Sequence, residues 1–413
     1  MTATVRADTA PVTAPEPSAV LARAAELAQR FAQNAALHDA ERSLPIENLQ
    51  PLFDAGLLSL VIARTRGGSG GGLEAATEAV STIASGDPST ALVLAMHYIQ
   101  HGQLAFGEDQ WPEELTSLLV RQSLEGVALV NAAYVEPFLG SASHGAIPQT
   151  SAKLVDGQWH LNGHKKYVTG ARGLSWIRVM GVTEEPEPRV GFFLVPARAE
   201  GVEVVPTWDT VGMRATDSND VIFRDVVLPQ SHFFGGSPVA QGLKMSPLDG
   251  VWYLLLLSAV YHGVAIAARN AIVDFATGFA PGSLGAPLAS LPRFQDAIGD
   301  IEITLAASQR LIRSIGRDYD AGHAKQPHRL ADLARDAGVT KQVVIENSIR
   351  ITSVALELAG NQGITRTNPF ERFHRDVISA RAHNPQAHLT RSRLGQAALS
   401  VETRTPLWNG TRT

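Results

Sequence analysis

The sequence has no cysteine. That absence removes disulfide cross-links, thiolate zinc sites, iron–sulfur clusters and a cysteine nucleophile. An excess of one charge is lacking too, since 35 Lys and Arg stand against 40 Asp and Glu, a formal net charge of −5. Such a balance gives no electrostatic footprint for nucleic acid or an anionic membrane surface. The first seventeen residues, MTATVRADTAPVTAPEP, hold no apolar stretch of signal-peptide length. They read as a loose tail, and a cytoplasmic location is expected.

Long hydrophobic runs are also scarce. The one to weigh is Val251 to Ala268, VWYLLLLSAVYHGVAIAA, with 18 residues and no formal charge. It meets the lower limit for a membrane-spanning helix. A helix apolar all round is equally what the centre of a bundle or an oligomer interface requires. His262 and Gly263 lie inside the run, so burial in protein is expected, without a membrane. The 45% hydrophobic content over 413 residues excludes general disorder. It suits two or three packed units, because a single core rarely grows past about 250–300 residues.

After the tail at 1–17, three zones differ in texture. Residues 18–126 follow a helical period, with Leu21, Ala25, Leu27 and Phe31 recurring near helical spacing. Ser43 is placed to cap a helix that stops near Gly56, RGGSGGG at 66–72 reads as a flexible turn, and another helix covers Ser89 to Phe106. Residues 127–236 switch to short β-branched and aromatic runs, such as VALVNAAYV, WIRVMGVT and VIFRDVVLP, separated by turn residues. This pattern predicts an antiparallel β domain. Residues 237–413 return to helices, at about 245–279, 290–322, 328–360 and 385–402, an up-down bundle. Helices, strands and helices in contiguous blocks give an α+β multidomain chain rather than a wound sheet.

Most motif candidates are weak. His97 and His101, four apart on a helix, can face one point, but no HExxH or spaced carboxylate accompanies them and no metal site is expected. RGGSGGG lacks the Lys-Ser/Thr ending of a phosphate loop, and GSASHG at 140–145 lacks nucleophile-elbow spacing.

The order of the three zones, with several short stretches in register, resembles the acyl-CoA dehydrogenase superfamily across roughly residues 20 to 402. VEPFLGS at 135–141 is similar to its TEPxxGS segment, and VGMRATDSNDVIFRDVVLP is similar to its GxRxTxSxxVxFxxVxVP stretch. HDAERSLPIENLQPLFDAGLLSL, WHLNGHKKYVTGARGLSWI, ALELAGNQGI and FERFHRD resemble other family elements. The resemblance implies an N-terminal helical domain, a middle β domain, a C-terminal four-helix bundle and a bound flavin. By the same resemblance, Tyr167 and Thr169 lie against the flavin ring, Gly140 and Ser141 approach its phosphate end, and Gly360 and Gly363 belong to a Gly-rich flavin contact.

The departures carry more information. A dehydrogenase of this family needs a carboxylate to remove the substrate α-proton. Counting eight residues from Asp376 lands on Asn384, and after Leu248-Asp249 come Gly250, Val251 and Trp252. Both base positions are empty, and an amide cannot serve as a base near neutral pH. FATGFAPGS also stands where the family has an arginine that grips FAD, which points to FMN, or to a flavin that exchanges freely. His383-Asn384-Pro385 resembles instead the flavin-dependent monooxygenase branch, which includes dibenzothiophene monooxygenases and nitrososynthases.

That branch implies reduced flavin, FMN or FAD, delivered by a separate flavin reductase, and O2 reacting through a C4a-hydroperoxide with a small apolar, aromatic, amine or sulfur substrate. His383, Asn384 and His97 become the catalytic candidates, and Asn131 a polar flavin neighbour. A homotetramer is implied. The alternatives are an acyl-CoA or acyl-carrier dehydrogenase with an unrecognised base such as Glu136, and a flavin binder without turnover.

Overall fold

The computed structural model describes residues 14–106, 111–137, 147–243 and 247–399. Gly140 and Ser141 lie outside the described residues. The N-terminal unit holds α1 (Pro17–Ala32), α2 (Ala35–Glu41), α3 (Leu49–Asp54), α4 (Leu73–Ala84), α5 (Pro88–Phe106) and α6 (Glu113–Glu125). On α1, Val20, Ala24, Ala28 and Phe31 are buried, the spacing that turns one helix stripe to the core. Ser43 does not cap a helix. Its hydroxyl meets His38 Nδ1 at 2.8 Å, and a 3₁₀ turn at Ile46–Asn48 leads into α3. Leu44 precedes Pro45, a position biased away from helix, so the helix starts later than its pattern suggests.

The RGGSGGG segment is packed rather than loose. Gly70 and Gly71 donate to the carbonyls of Ile62 and Leu60, both at 2.8 Å, and Ser69 is fully buried. Just beyond it, the start of α4 is capped from a distance: Asp320 accepts from the N–H groups of Leu73 and Glu74 at 2.7 and 3.0 Å. A carboxylate at a helix N-terminus satisfies orphan donors and meets the positive end of the dipole.

The middle unit is one sheet of β1 (Leu129–Ala133), β2 (Ser151–Val155), β3 (Gln158–Val168), β4 (Leu174–Thr183), β5 (Arg189–Pro196), β6 (Val202–Val205), β7 (Asn219–Pro229) and β8 (Phe233–Pro238). The order is β6-β7-β3-β2-β4-β5-β8, with β1 also on β4. The expected antiparallel domain is in fact mixed, because β1 and β2 both pair with β4 in parallel. β1 arrives from α6 rather than through a hairpin, so no tight turn forces it antiparallel.

The C-terminal unit holds α7 (Pro247–Gly278), α8 (Pro292–Asp320), α9 (Pro327–Ala359), α10 (Phe370–Ile378) and α11 (Ala387–Leu399). The sequence pattern missed α10, which is amphipathic but only two turns long; the expected end of the last helix, at 402, lies outside the described residues. α7 has mean hydropathy 1.8 over its apolar window and is long enough to cross a membrane, yet 89% of that window is buried inside the protein. Helices α4, α5, α8, α9 and α10 pack around it. Each of its buried leucines, Leu255, Leu256 and Leu257 among them, contributes roughly 1.5–3 kcal/mol. Since one chain covers this helix, its apolar character gives no argument for an oligomer.

The three units are locked at one point. Arg375 of α10 pairs with Asp39 of α2 at 2.7 Å and donates to the Val211 carbonyl at 2.9 Å. Asp376 accepts from the Met213 N–H at 2.6 Å. A Cβ on Gly212 would stand 2.0 Å from the Arg375 carbonyl oxygen, so only glycine lets the loop come this close.

Candidate functional site

The site grows out of a bulge in β3. Lys165 pairs with Val221 and Val168 with Asn219, so β3 carries one residue more than β7 between those pairs. The extra residue forces Tyr167 to φ +61°, a left-handed conformation that an aromatic residue adopts only under constraint. Its ring is turned outward, 57% exposed, 6.3 Å from the Trp208 ring. Met213 and Asp217, close to the end of the bulged strand, also have positive φ. Strained backbone gathered in one place is often functional.

Directly after the bulge, Thr169 is buried, and its hydroxyl lies 3.0 Å from the Ser218 hydroxyl, which in turn lies 2.8 Å from Thr216. Asn131 on β1 donates to the Thr169 carbonyl at 3.0 Å and accepts from the Ala132 N–H at 2.7 Å. Asn131, Tyr167 and Thr169 are thus brought together, and they share the place with Trp208 and Ser218. Ser218 was legible inside the TDS stretch. Trp208 carried no signal, because a tryptophan in a polar loop has no spacing to read.

His97 is fully buried on α5. Nε2 donates to the Leu58 carbonyl at 2.9 Å, and Nδ1 accepts from the Val130 N–H at 3.4 Å. Burial lowers its pKa to about 4, so the ring is neutral. With both nitrogens engaged, His97 is shaped to hold β1, and through it Asn131, against α5. As expected from their spacing, His97 and His101 face one another, with ring centroids 4.4 Å apart. His101 Nδ1 and Gln100 Oε1 on α5, and His262 Nδ1 on α7, are buried without hydrogen-bond partners among the described residues. Buried polar atoms left unpaired on two helices that pack together are suited to a polar ligand.

His383 stands in the turn before α11 and is half-buried. Its Nε2 lies 2.7 Å from the Tyr261 hydroxyl of α7. Tyr261 has no other acceptor among the described residues and, pushed up by burial, keeps its proton, so it donates to Nε2 and the ring proton sits on Nδ1. Burial, and then the Lys341 ammonium, lower the His383 pKa to about 4. Lys341 donates to the His383 carbonyl at 2.7 Å and to the Pro385 carbonyl at 2.9 Å, fixing the turn on both sides of Asn384. Nδ1 makes no hydrogen bond among the described residues. No direct contact joins His383 to His97, so the two histidine candidates form separate units. Tyr261 and Lys341 were missed, the first hidden in the apolar run and the second on an ordinary helix.

Glu136 is closed to chemistry. Its Oε1 accepts from Lys165 at 2.6 Å and from the Thr150 N–H and hydroxyl, and its Oε2 from the Gln149 N–H at 2.7 Å. Burial raises this carboxyl, but Lys165 and these donors outweigh burial and hold it below its ordinary value. Gly360, in an exposed turn with φ +58°, and Gly363 follow α9, with no hydrogen bond to the Asn131–Thr169 group.

The sequence matches the acyl-CoA dehydrogenase N-terminal domain over residues 15–120, the middle domain over 131–226 and the C-terminal domain over 255–387. The chain belongs to the acyl-CoA dehydrogenase family. Within it, YdbM of Bacillus subtilis (strain 168), which carries an acyl-CoA dehydrogenase name, is 32% identical over 87% of this chain and 91% of its own. Dibenzothiophene monooxygenase of Rhodococcus qingshengii is 24% identical over 88% of this chain and 89% of its own. The solved structure of TdsC from Paenibacillus sp. A11-2 with FMN and indole superposes with a TM-score of 0.82 at 23% identity, covering 92% of this chain and 96% of TdsC. At that identity the superposition speaks for the fold alone.

Proposed function

We propose that this family member is a two-component flavin-dependent monooxygenase. The carrying observation is the His383-Asn384 turn: where a dehydrogenase of this family keeps its base, there is an amide beside a neutral histidine whose Nδ1–H has no acceptor among the described residues. Glu136, the spare carboxylate, is saturated by Lys165, Thr150 and Gln149. The monooxygenase relatives support the same reading.

The bulge fits a flavin. The exposed Tyr167 and the Trp208 ring offer faces for a flat heterocycle, and the Thr169–Ser218 hydroxyl pair offers a donor for its edge. Tyr167, Thr169, Asn131 and Trp208 would hold it, FMN or FAD, with Gly140 and Ser141 toward its phosphate. Reduced flavin bound there supplies the two electrons with which O2 gives one oxygen atom to the substrate and one to water. His383 donates from Nδ1 to oxygen, held at that angle by Tyr261. Asn384 presents an amide that cannot titrate, and His97 braces Asn131. The apolar flank of α7 excludes water. The substrate is a small molecule, and a separate reductase provides the reduced flavin.

We further propose a homotetramer. Ile303, Phe279 and Ile364 are exposed on the bundle at 71%, 45% and 67%, and Gly360 and Gly363, which make no hydrogen bond to the Asn131–Thr169 group, would contribute a flavin contact across such an interface. Light scattering that finds a monomer at micromolar concentration removes this part.

A second reading is favoured by YdbM, whose name is that of an acyl-CoA dehydrogenase. Two assays on one preparation separate the readings. Reduced FMN or FAD with O2 and a panel of aromatic, sulfide and amine compounds should give oxygenated product. Acyl-CoA thioesters with oxidised flavin under anaerobic conditions should leave the flavin oxidised; bleaching there overturns the proposal.

A further inference from the structure

A second cluster lies on the other side of β1 and β4. Arg178 on β4 is 1% exposed, yet no carboxylate lies within 4 Å of its guanidinium among the described residues. One NH group donates to Gln103 Oε1 near the end of α5, and Nε is buried with no hydrogen bond among the described residues. The guanidinium lies 3.7 Å from the centre of the Phe192 ring, 5.2 Å from Trp111 and 6.0 Å from Tyr134. Aromatic faces attract a cation but do not replace the hydrogen bonds that burial has removed. Asp249, at the start of α7, contributes only a longer-range opposite charge, and burial pushes its carboxyl up to about 6.

A buried guanidinium with an unused donor is under-partnered, and such a fork is built to take two oxygens of one planar or tetrahedral anion. The position lies across the sheet from Asn131 and is tied to the candidate site through β1 and α5. Arg178 pairs across the strands with Ala132, next to Asn131, and Gln103 lies six residues beyond His97, about 9 Å along α5.

We propose that Arg178 anchors an anionic oxy group, a carboxylate, sulfinate, sulfonate or phosphate, carried by the substrate, between β4 and the facing ends of α5 and α7. Only the word substrate rests on the monooxygenase reading; the binding itself does not. Asp249 then opposes the incoming anion and sets how tightly it is held, and the aromatic rings select a flat body next to the charged end.

Titration calorimetry on the full chain tests this with benzoate, benzenesulfinate and phenyl phosphate, against neutral benzamide. At least one anion should bind at least tenfold tighter than benzamide, and Arg178→Met should abolish that preference. Its melting temperature should match or exceed that of the parent, because a buried charge short of partners is replaced by an apolar chain. Asp249→Asn, which removes the opposing carboxylate, should tighten the anion several-fold. This variant decides the matter should Arg178→Met fail to fold. No preference for any anion in the parent, an unchanged preference in Arg178→Met, or an unchanged or weaker affinity in Asp249→Asn overturns the proposal. Anion binding without oxygenation of any panel compound removes the monooxygenase reading and leaves the anchor standing; oxygenation without anion binding does the reverse.

Discussion

The Tyr261 hydroxyl and His383 Nε2 lie 2.7 Å apart, joining the middle of the buried helix α7 to the turn that precedes α11. A turn residue is thereby held by a helix buried along most of its length. The bond also fixes which ring nitrogen carries the proton.

His383→Ala should therefore lower coupled product formation by about 10²–10³, the usual loss when one preorganised hydrogen-bond donor is removed. Peroxide release should rise while flavin still binds. Tyr261→Phe keeps the imidazole but removes its orienting partner, a loss of about 0.5–1.5 kcal/mol, or about 2- to 10-fold in rate. Product and peroxide yields from the same reaction check both. Full coupling in His383→Ala would make the histidine structural.

Stability should fall on mild acidification. His97, His262 and His383 have pKa values near 4, mainly through burial, whereas unfolded histidine titrates near 6.5. Between pH 6.5 and 4 the unfolded chain binds protons that these native histidines refuse, so their support of the fold is complete above 6.5 and lost toward 4. Asp249 and Asp376, raised by burial to about 6 and 7, act in the opposite sense, since the native state protonates them first. Asp87, Asp217 and Asp320, also raised by burial, act with those two carboxyls. The lowered Glu47, Glu113, Glu136 and Glu185 side with the five lowered histidines, His101 and His374 included, and tip the balance. The melting temperature should drop from pH 6.5 to 4.5; a flat or rising profile contradicts this.

The zone order and the core of each unit were legible because helical and strand periods leave a pattern in sequence. Burial of Val251–Ala268 followed from its lack of a polar face, although whether one chain or several would bury it did not. The parallel pairing of β1 and β2 was not legible, since pairing direction depends on partners far along the chain. In the site, Thr169 and His383 could be read because neighbouring residues form motifs. Tyr261, Lys341 and Arg178 could not, because each gains its meaning from a contact across the fold.

Glu136→Gln separates structure from chemistry at the spare carboxylate. Lys165 is fully buried and would lose its counter-charge, a destabilisation of about 3–5 kcal/mol. Pairing the change with Lys165→Met should recover much of it. Thermal melts check this, and a stable but inactive Glu136→Gln would instead mark the carboxylate as a base.

FMN and FAD should bind with affinities within about tenfold, a difference of 1.4 kcal/mol. The end of α7 and the segment after it, FATGFAPGS, carry no arginine to grip the adenine half. Fluorescence titration of both flavins checks this, and a thousandfold preference for FAD would reveal a site for that half.

The most direct measurement uses isotopically labelled dioxygen with reduced FMN, the full chain and the mixed substrate panel, read by mass spectrometry. The expected result is one labelled oxygen atom in a product, with that yield collapsing in His383→Ala. If all the label appears as peroxide while acyl-CoA thioesters reduce the flavin anaerobically, the chain is a dehydrogenase and the account is contradicted.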